Sequence, residues 1–490
     1  MTPERDEERR VLSEFSTALG VHVADVPVCE GHHAPLDFLE AWCYDRPSAS
    51  VVLGPRGGGK SYLAALATVW DSLAFKGHGT RVLGGSEAQS RQIYDALKEF
   101  AATGAGSIYV RSIAKEAATF HNGSDVSILA ASSRSVRGPH VPTLRLDEID
   151  EIDSDIRESA MGMCMARGEA RASVSMTSTW HRVGGPMAEL IDRARNGEFP
   201  LWHFCTFEVL ERCPDIRSGP NLERCPECLL VQWCHDTAGL PKAKRANGHY
   251  AIDSLIQKVL TVSRRVFEAD YLCAGPKADG VWFPQFDEAR HVNFDSEYDP
   301  FLPVHLAVDS GVFTGAVFYQ IHDNGDGFPS LTVFADYLAE GLTAENNAVA
   351  ILEVARVHCN GKIHERYSDP AGGARNPVGP RVLEIYETAG LALDKWPVTS
   401  VSDGLSQVES LLMSAGGTVR LTIHPRCQWL IDAFRGYRRK KRAGQWTDDP
   451  EDPQHPYEDV MDALRGGVMA DFGGLREAVS GGDPFGNRRW

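Results

Sequence analysis

The sequence predicts an α/β protein with two sheet-containing domains. Three observations predict it. Gly54 to Ser61 reads Gly-Pro-Arg-Gly-Gly-Gly-Lys-Ser, the full phosphate-loop pattern, between an apolar run at Val51 to Leu53 and a helical pattern from Tyr62. A strand-helix alternation continues after it, which implies a parallel sheet with helices on its faces. From Pro303 a second set of strand patterns begins, with aspartates at strand ends. At 490 residues the chain is also too long for one ordinary core.

Composition narrows the class. A content of 43% hydrophobic and 24% charged residues is that of a soluble globular protein. No apolar run reaches the length of a bilayer span, and the charged start, Met1 to Arg10, is not a secretory signal, so a cytoplasmic protein without a membrane role is expected. A formal net charge of −17 argues against a broadly basic surface, so any DNA contact must be local. The 11 cysteines, without a signal peptide, point to reduced thiols or metal ligands rather than disulfides.

Taken in order, the chain opens with helix and loop to about residue 48, with Leu12, Phe15 and Leu19 at helical spacing and a His-rich turn at Gly31-His32-His33. In the phosphate loop, Gly54, Gly57, Gly58 and Gly59 let backbone amides close around a polyphosphate. Lys60 reaches the β and γ phosphates, and the Ser61 hydroxyl can ligate Mg2+. A nucleoside triphosphate, ATP, is therefore the expected ligand. Leu63 to Trp70 reads as a helix, Arg81 to Gly84 as a strand and Ala88 to Phe100 as a second helix.

Thr143 to Glu148 reads Thr-Leu-Arg-Leu-Asp-Glu, an apolar strand ending on two carboxylates. Asp147 at the strand end is assigned to magnesium, and Glu148 to orienting and deprotonating the attacking water. The acidic run that follows, from Asp150 to Asp155, reads as a solvated face. Arg134 and Arg137 in the loop before this strand, and Arg56 inside the phosphate loop, compete to stabilise charge on the transferred phosphoryl group. Val174 to Thr179 forms another strand ending in hydroxyl residues, where Thr179 suits a sensor of the γ phosphate.

Composition changes at Cys205. Cys213, Cys225, Cys228 and Cys234 lie in a short polar segment, and as thiolates they satisfy a tetrahedral Zn2+ site that would fold a stretch unable to build a core. The same spacing suits an iron–sulfur cluster. Cys205 and His235 are possible substitutes for one ligand. Residues 241–300 read as a helix and connector, with a loop-like Phe283-Pro-Gln-Phe-Asp287.

In the second domain Val304 to Val308 is a strand ending at Asp309, followed by strands at Ala316 to Ile321 and Leu331 to Phe334. A helix from Thr343 to Val357 leads to a strand ending in Tyr367-Ser368-Asp369. Asp459 and Asp462, three apart, share one face of a C-terminal helix. Carboxylates in this strand, strand, helix order point to an RNase H-like fold holding Mg2+ or Mn2+ ions about 4 Å apart, as in two-metal nucleases. Between them Arg435, Arg438, Arg439, Lys440, Lys441 and Arg442, with Tyr437 and Trp446 interleaved, make a basic hairpin suited to DNA phosphates.

With these residues in place the chain resembles the large terminase subunit of tailed bacteriophages. The resemblance rests on Gly54 to Ser61, Arg134 to Gly138, Leu146-Asp147-Glu148 and Thr177 to Thr179, then Asp309, Asp369 and Asp459. It implies an N-terminal ATPase that couples hydrolysis to translocation of double-stranded DNA through the Thr-rich motif, and a nuclease that cuts concatemeric DNA. It also implies a homo-oligomeric ring, usually a pentamer on the portal protein, a small terminase subunit as partner, and Arg137 as an arginine finger between neighbours. Such a protein works in the cytoplasm of the infected bacterium and is absent from the mature virion. The cysteine insert lies outside the family pattern. The last motif departs from it too, since Tyr457-Glu458 precedes Asp459 where the family has His and paired Asp, which leaves Asp459 and Asp462 both open as the third nuclease ligand.

The expected organisation is an ATPase domain over 1–204, a metal-binding insert over 205–240, a lid or linker over 241–300, the nuclease over 301–475 and a tail over 476–490. A cellular ATP-dependent helicase–nuclease is the competing enzyme, but no second RecA-like domain is visible after residue 300. A nucleotide-gated scaffold with vestigial carboxylates is the non-enzymatic alternative.

Overall fold

The computed structural model describes residues 3–104, 106–129, 140–168, 170–180, 185–236, 238–275, 280–325, 328–370, 380–398, 400–442 and 445–480. The described residues divide into two compact units, one of 3–256 with 268–275 and one of 257–267 with 280–480. The stretch 241–300, expected as a connector, is shared between them, and the cysteine-rich stretch 205–240 belongs to the first. Among the described residues no helix is long and apolar enough to cross a membrane.

The first unit is built on an eight-stranded sheet. Its strands are β1 (Ala49–Leu53), β2 (Gly79–Gly84), β3 (Val110–Ile113), β4 (Ala117–Phe120), β5 (Asp125–Ile128), β6 (Thr143–Asp147), β7 (Ser173–Ser178) and β8 (Leu201–His203). They lie in the order β3-β4-β5-β2-β6-β7-β1-β8. Only β4 runs against its neighbours; the other pairings are parallel. Strands β3 to β5 have four residues each and mix polar with apolar side chains, so no long apolar run marks them in the sequence. At the N-terminus, Leu12 and Leu19 of the helical pattern are buried, and Phe15 meets Trp70 edge-on at 5.2 Å.

Period-two alternation sorts the strand residues between the two faces. Val52 and Val82 join the core on the side of the helix Lys60–Ala74, whereas Val51, Leu53, Leu83, Leu144 and Leu146 join the opposite core. Along β6 the same alternation turns Thr143, Arg145 and Asp147 toward that helix. Arg145, fully buried, pairs there with Asp71 at 2.9 Å and with Ser175 at 3.2 Å. A buried charge is tolerated only when paired in this way.

The second unit holds a six-stranded sheet in the order β13-β12-β9-β10-β11-β14. Its strands are β9 (His305–Ser310), β10 (Phe313–His322), β11 (Ser330–Glu340), β12 (Glu365–Ser368), β13 (Asp394–Lys395) and β14 (Leu421–Ile423). The first three form an antiparallel meander, and β12 adds parallel to β9. Leu306, Val308, Ala316 and Phe318 pack on one face with Ile351 of the helix Ala344–Cys359. Ala307, Val317 and Tyr319 pack on the other with Val460 and Leu464 of the helix Tyr457–Ser480. The segment 283–287 is irregular, as expected, yet it buries Phe283 in the core of this unit with Phe286 half-buried against it, the two packed on Phe434 at 5.0 and 4.9 Å. A separate hairpin joins β15 (Arg439–Arg442) to β16 (Gln445–Pro450).

Candidate active sites

The phosphate loop leaves the C-terminal end of β1, where ligands of parallel sheets bind. Gly59 takes the left-handed conformation, φ +81°, and starts the helix Lys60–Ala74. Lys60 is buried, and its Nζ donates to the carbonyls of Gly54 and Pro55 at 3.2 and 3.1 Å. It also stands 3.6 Å from Glu148 Oε1. Register brings the partners together, because β7 lies between β6 and β1, with Asp147 opposite Thr177 and Leu53 opposite Ser178. Ser61 Oγ and Thr177 Oγ1 both donate to the Asp147 carboxylate at 2.5 Å. Burial, and next the charge of Glu148, push the Asp147 carboxyl above its usual range, opposed by those hydrogen bonds and by Lys60.

Glu148 itself adopts left-handed backbone, φ 50° and ψ 57°, which a non-glycine residue rarely does. Its Oε2 accepts from Ser178 Oγ at 3.4 Å. The hydroxyl strand thus meets the carboxylates through Thr177 and Ser178, while Thr179 is buried just beyond the end of β7. The Arg56 side chain is 64% exposed and 3.8 Å from Asp270. Arg134 and Arg137 lie outside the described residues. Sequence reasoning missed His249 and Tyr250, which lie against the loop: His249 Nε2 is 3.3 Å from the Gly57 carbonyl, and a Cβ on Gly57 would stand 2.9 Å from the Tyr250 ring.

In the second unit the parallel pairing of Ser368 with Val308 sets Asp369 beside Asp309 at the same sheet end. Gly315, paired with Asp309 on β10, lets the last helix close in, since a Cβ there would stand 2.5 Å from the Asp459 backbone. Asp309, Asp369, Asp459 and Asp462 gather as a result. Burial first, then the charges of Asp462, Asp369 and Asp459, push the Asp309 carboxyl up to about 8, with Arg465 opposing. Burial also raises Asp462, which Arg465 holds at 3.0 Å. Asp459 is buried and Asp309, Asp369 and Asp462 are half-buried, and a cluster of like-charged carboxylates is the donor type that hard divalent cations take. Sequence reasoning missed His455. Its Nδ1 is 2.8 Å from Asp459 Oδ2 and 2.9 Å from Glu458 Oε1, and Phe313 stacks on its ring at 4.5 Å. The signal was a histidine four residues before Asp459, ahead of Pro456 and so outside the helix itself.

The basic hairpin divides. Arg439, expected to face DNA, is instead 2% exposed, with its guanidinium 4.1 Å above the Trp282 ring and bonded to Asp448 at 2.6 Å. An irregularity in the β15–β16 register between Arg439 and Lys441 accompanies this inward turn. Arg435, expected in the hairpin, instead lies in the last turn of the helix Gln428–Gly436; it is exposed, as are Arg438, Lys441 and Arg442, and Lys440 is half-buried. Arg435 pairs with Glu288 and Asp432, Arg442 with Asp449, and Lys441 lies 5.1 Å over Trp446.

The four cysteines of the insert share one electrostatic neighbourhood. Burial, with added repulsion from Cys228, Cys213 and Cys225, pushes the Cys234 thiol up to about 11. Among the described residues, the groups whose ligand atoms all lie within 4.8 Å of one another are Cys29, His32, Cys205 and Glu208, and His455, Glu458 and Asp459. Neither the insert cysteines nor Asp309, Asp369 and Asp462 belong to such a group.

No family model and no curated protein matches the chain. Solved structures do. One crystal form of the large terminase of the thermophilic bacteriophage D6E has a TM-score of 0.61 at 14% identity, covering 89% of this chain and 97% of that one. The same protein in complex with ADP has a TM-score of 0.58 at 15% identity, over 89% of this chain and 97% of that one. In complex with ATP-γ-S it has the same score and identity, over 89% of this chain and 98% of that one. The chain has this two-domain α/β fold.

Proposed function

We propose that this chain is a viral DNA-packaging motor of the large-terminase kind, hydrolysing ATP to move double-stranded DNA into a procapsid and cutting concatemeric DNA. The observation that carries the reading is the presence in one chain of a phosphate loop facing Asp147 and Glu148 and of four gathered aspartates in a second α/β unit. The shared fold over 89% of the chain supports it.

In this reading Lys60 and the amides of Gly54 to Gly59 bind the polyphosphate. Ser61 and Asp147, already joined, present oxygen donors for Mg2+, which when bound neutralises charge on the phosphates. Glu148, held between Lys60 and Ser178, orients the attacking water and accepts its proton. Thr177 to Thr179 link that carboxylate pair to the rest of β7, and Arg137 serves as the finger from a neighbouring subunit. Asp309, Asp369, Asp459 and Asp462 are the ligands for Mg2+ or Mn2+, ions that lower the pKa of bound water and steady the leaving oxygen. His455 orients Asp459. Arg435, Arg438, Lys440, Lys441 and Arg442 contact DNA phosphates, and Arg439 supports the hairpin from inside.

The same reading includes a ring of identical subunits, a pentamer on the portal, a small terminase partner, and a workplace in the infected cell rather than in the virion. Cys213, Cys225, Cys228 and Cys234 take Zn2+, with an iron–sulfur cluster as the other occupant their spacing allows. DNA-stimulated ATP hydrolysis and metal-dependent cutting of plasmid, measured on one preparation, test the proposal. Hydrolysis indifferent to DNA, together with no cutting in Mg2+ or Mn2+, would sink it.

A further inference from the structure

Outside the residues of both sites, one set of metal-ligating side chains assembles from parts of the first unit that are distant in sequence. Cys29 and His32 precede the helix Pro35–Glu40, and Cys205 and Glu208 follow β8. The Cys29 and Cys205 sulfurs are 3.7 Å apart across a separation of 176 residues. His32 Nδ1 lies 2.9 Å from Glu208 Oε2, and the four ligand atoms are all within 4.8 Å of one another. The carboxylate is held from both sides, Oε1 accepting the Cys29 N–H at 2.8 Å and Oε2 the Cys205 N–H at 2.7 Å. Beside the cluster, the His203 ring is 4.1 Å from that of His32, and its Nε2 is buried without a hydrogen-bond partner.

We propose that Cys29, His32, Cys205 and Glu208 bind one Zn2+ ion, closing a structural site that staples the N-terminal loop to the segment after β8. The donor set of two thiolates, an imidazole and a carboxylate selects zinc over magnesium or calcium. Each half repeats a short spacing, Cys-x-x-His and Cys-x-x-Glu, which lets one turn present two ligands to one ion. A disulfide between Cys29 and Cys205 would engage the sulfurs alone, whereas a metal engages all four side chains. The staple bears on the phosphate loop, because Phe204, next to Cys205, fills the space within 2.5 Å of a Cβ built on Gly54. The inference stands independently of the packaging function.

The test uses the full chain, purified under reducing conditions, with elemental analysis for zinc and N-ethylmaleimide labelling mapped by peptide. Cys29→Ser combined with Cys205→Ser should lose about one zinc per chain relative to the parent protein. Cys225→Ser combined with Cys228→Ser, which addresses the insert, should leave that zinc in place. In the parent protein Cys29 and Cys205 should resist labelling until a chelator is added, a readout that decides the matter even where the serine variant fails to fold. Labelling unaffected by chelator, parental zinc in the Cys29/Cys205 variant, or a Cys29–Cys205 disulfide peptide in the reduced preparation overturns the site.

Discussion

Lys60 Nζ stands 3.6 Å from Glu148 Oε1 while donating to two carbonyls of its own loop. The lysine that would meet the phosphates and the carboxylate that would meet the water are thus already neighbours. Glu148→Gln keeps the shape and a polar group but removes the base. ATP binding should persist while turnover falls by about 10²- to 10⁴-fold. Nucleotide titration and phosphate release measure the two separately, and near-parental turnover would remove Glu148 from the base role.

Asp309→Ala should abolish Mg2+-dependent cutting of plasmid and leave ATP hydrolysis at the parental rate, because the carboxylate belongs to the second unit. Loss of both activities would point to misfolding instead of a missing ligand.

The Asp309 carboxyl also predicts a pH dependence. Its folded value is about 8, against about 3.9 for an unfolded aspartate. Between those values the folded state holds the proton more tightly, so this group makes stability fall as pH rises from about 4 to about 8. Divalent cation displaces the proton. Mn2+ should therefore raise the thermal midpoint at pH 8 and have little effect at pH 5, and Asp309→Asn should flatten the metal-free slope. A slope unchanged by that substitution would detach it from Asp309.

His455 touches Asp459 and Glu458 rather than the sheet carboxylates. His455→Ala should weaken metal-dependent cutting by about 10- to 100-fold, with the activity partly recovered at high Mn2+, as expected of a residue that orients a ligand. Cutting at the parental rate in limiting metal would leave His455 without that role.

The hairpin arginines should separate by burial. Neutralising Arg438, Lys441 and Arg442 together should weaken DNA binding and flatten its salt dependence, by about 0.9 in logarithmic slope for each DNA phosphate that is no longer neutralised. Arg439→Ala should instead cost about 2 kcal/mol of folding stability, because its guanidinium stacks on Trp282 and bonds to Asp448. Denaturant midpoints and salt titrations distinguish the two, and a salt slope that moves only with Arg439 would reverse the assignment.

Chemistry carried by consecutive residues was legible in the sequence. Gly54 to Ser61 and the Asp147-Glu148 pair are local, because a phosphate loop and a strand end are each built by one short segment. The alternating strands after residue 303, and the spacing of Asp459 and Asp462 on a helix, were readable for the same reason. What required the tertiary structure was any property set by which surfaces meet. A run of six cations does not reveal that Arg439 turns inward onto Trp282. His455 precedes Pro456 and so lies outside the helical face that carries Asp459 and Asp462. The halves Cys29/His32 and Cys205/Glu208 carry no signal alone; they meet because β8 adds beside β1 and the His33 N–H donates to the His203 carbonyl at 2.7 Å, drawing the N-terminal loop to the sheet edge. Local propensity and motif determine what each segment can do, whereas long-range pairing decides which side chains share a site, because only packing brings residues distant in sequence within bonding distance.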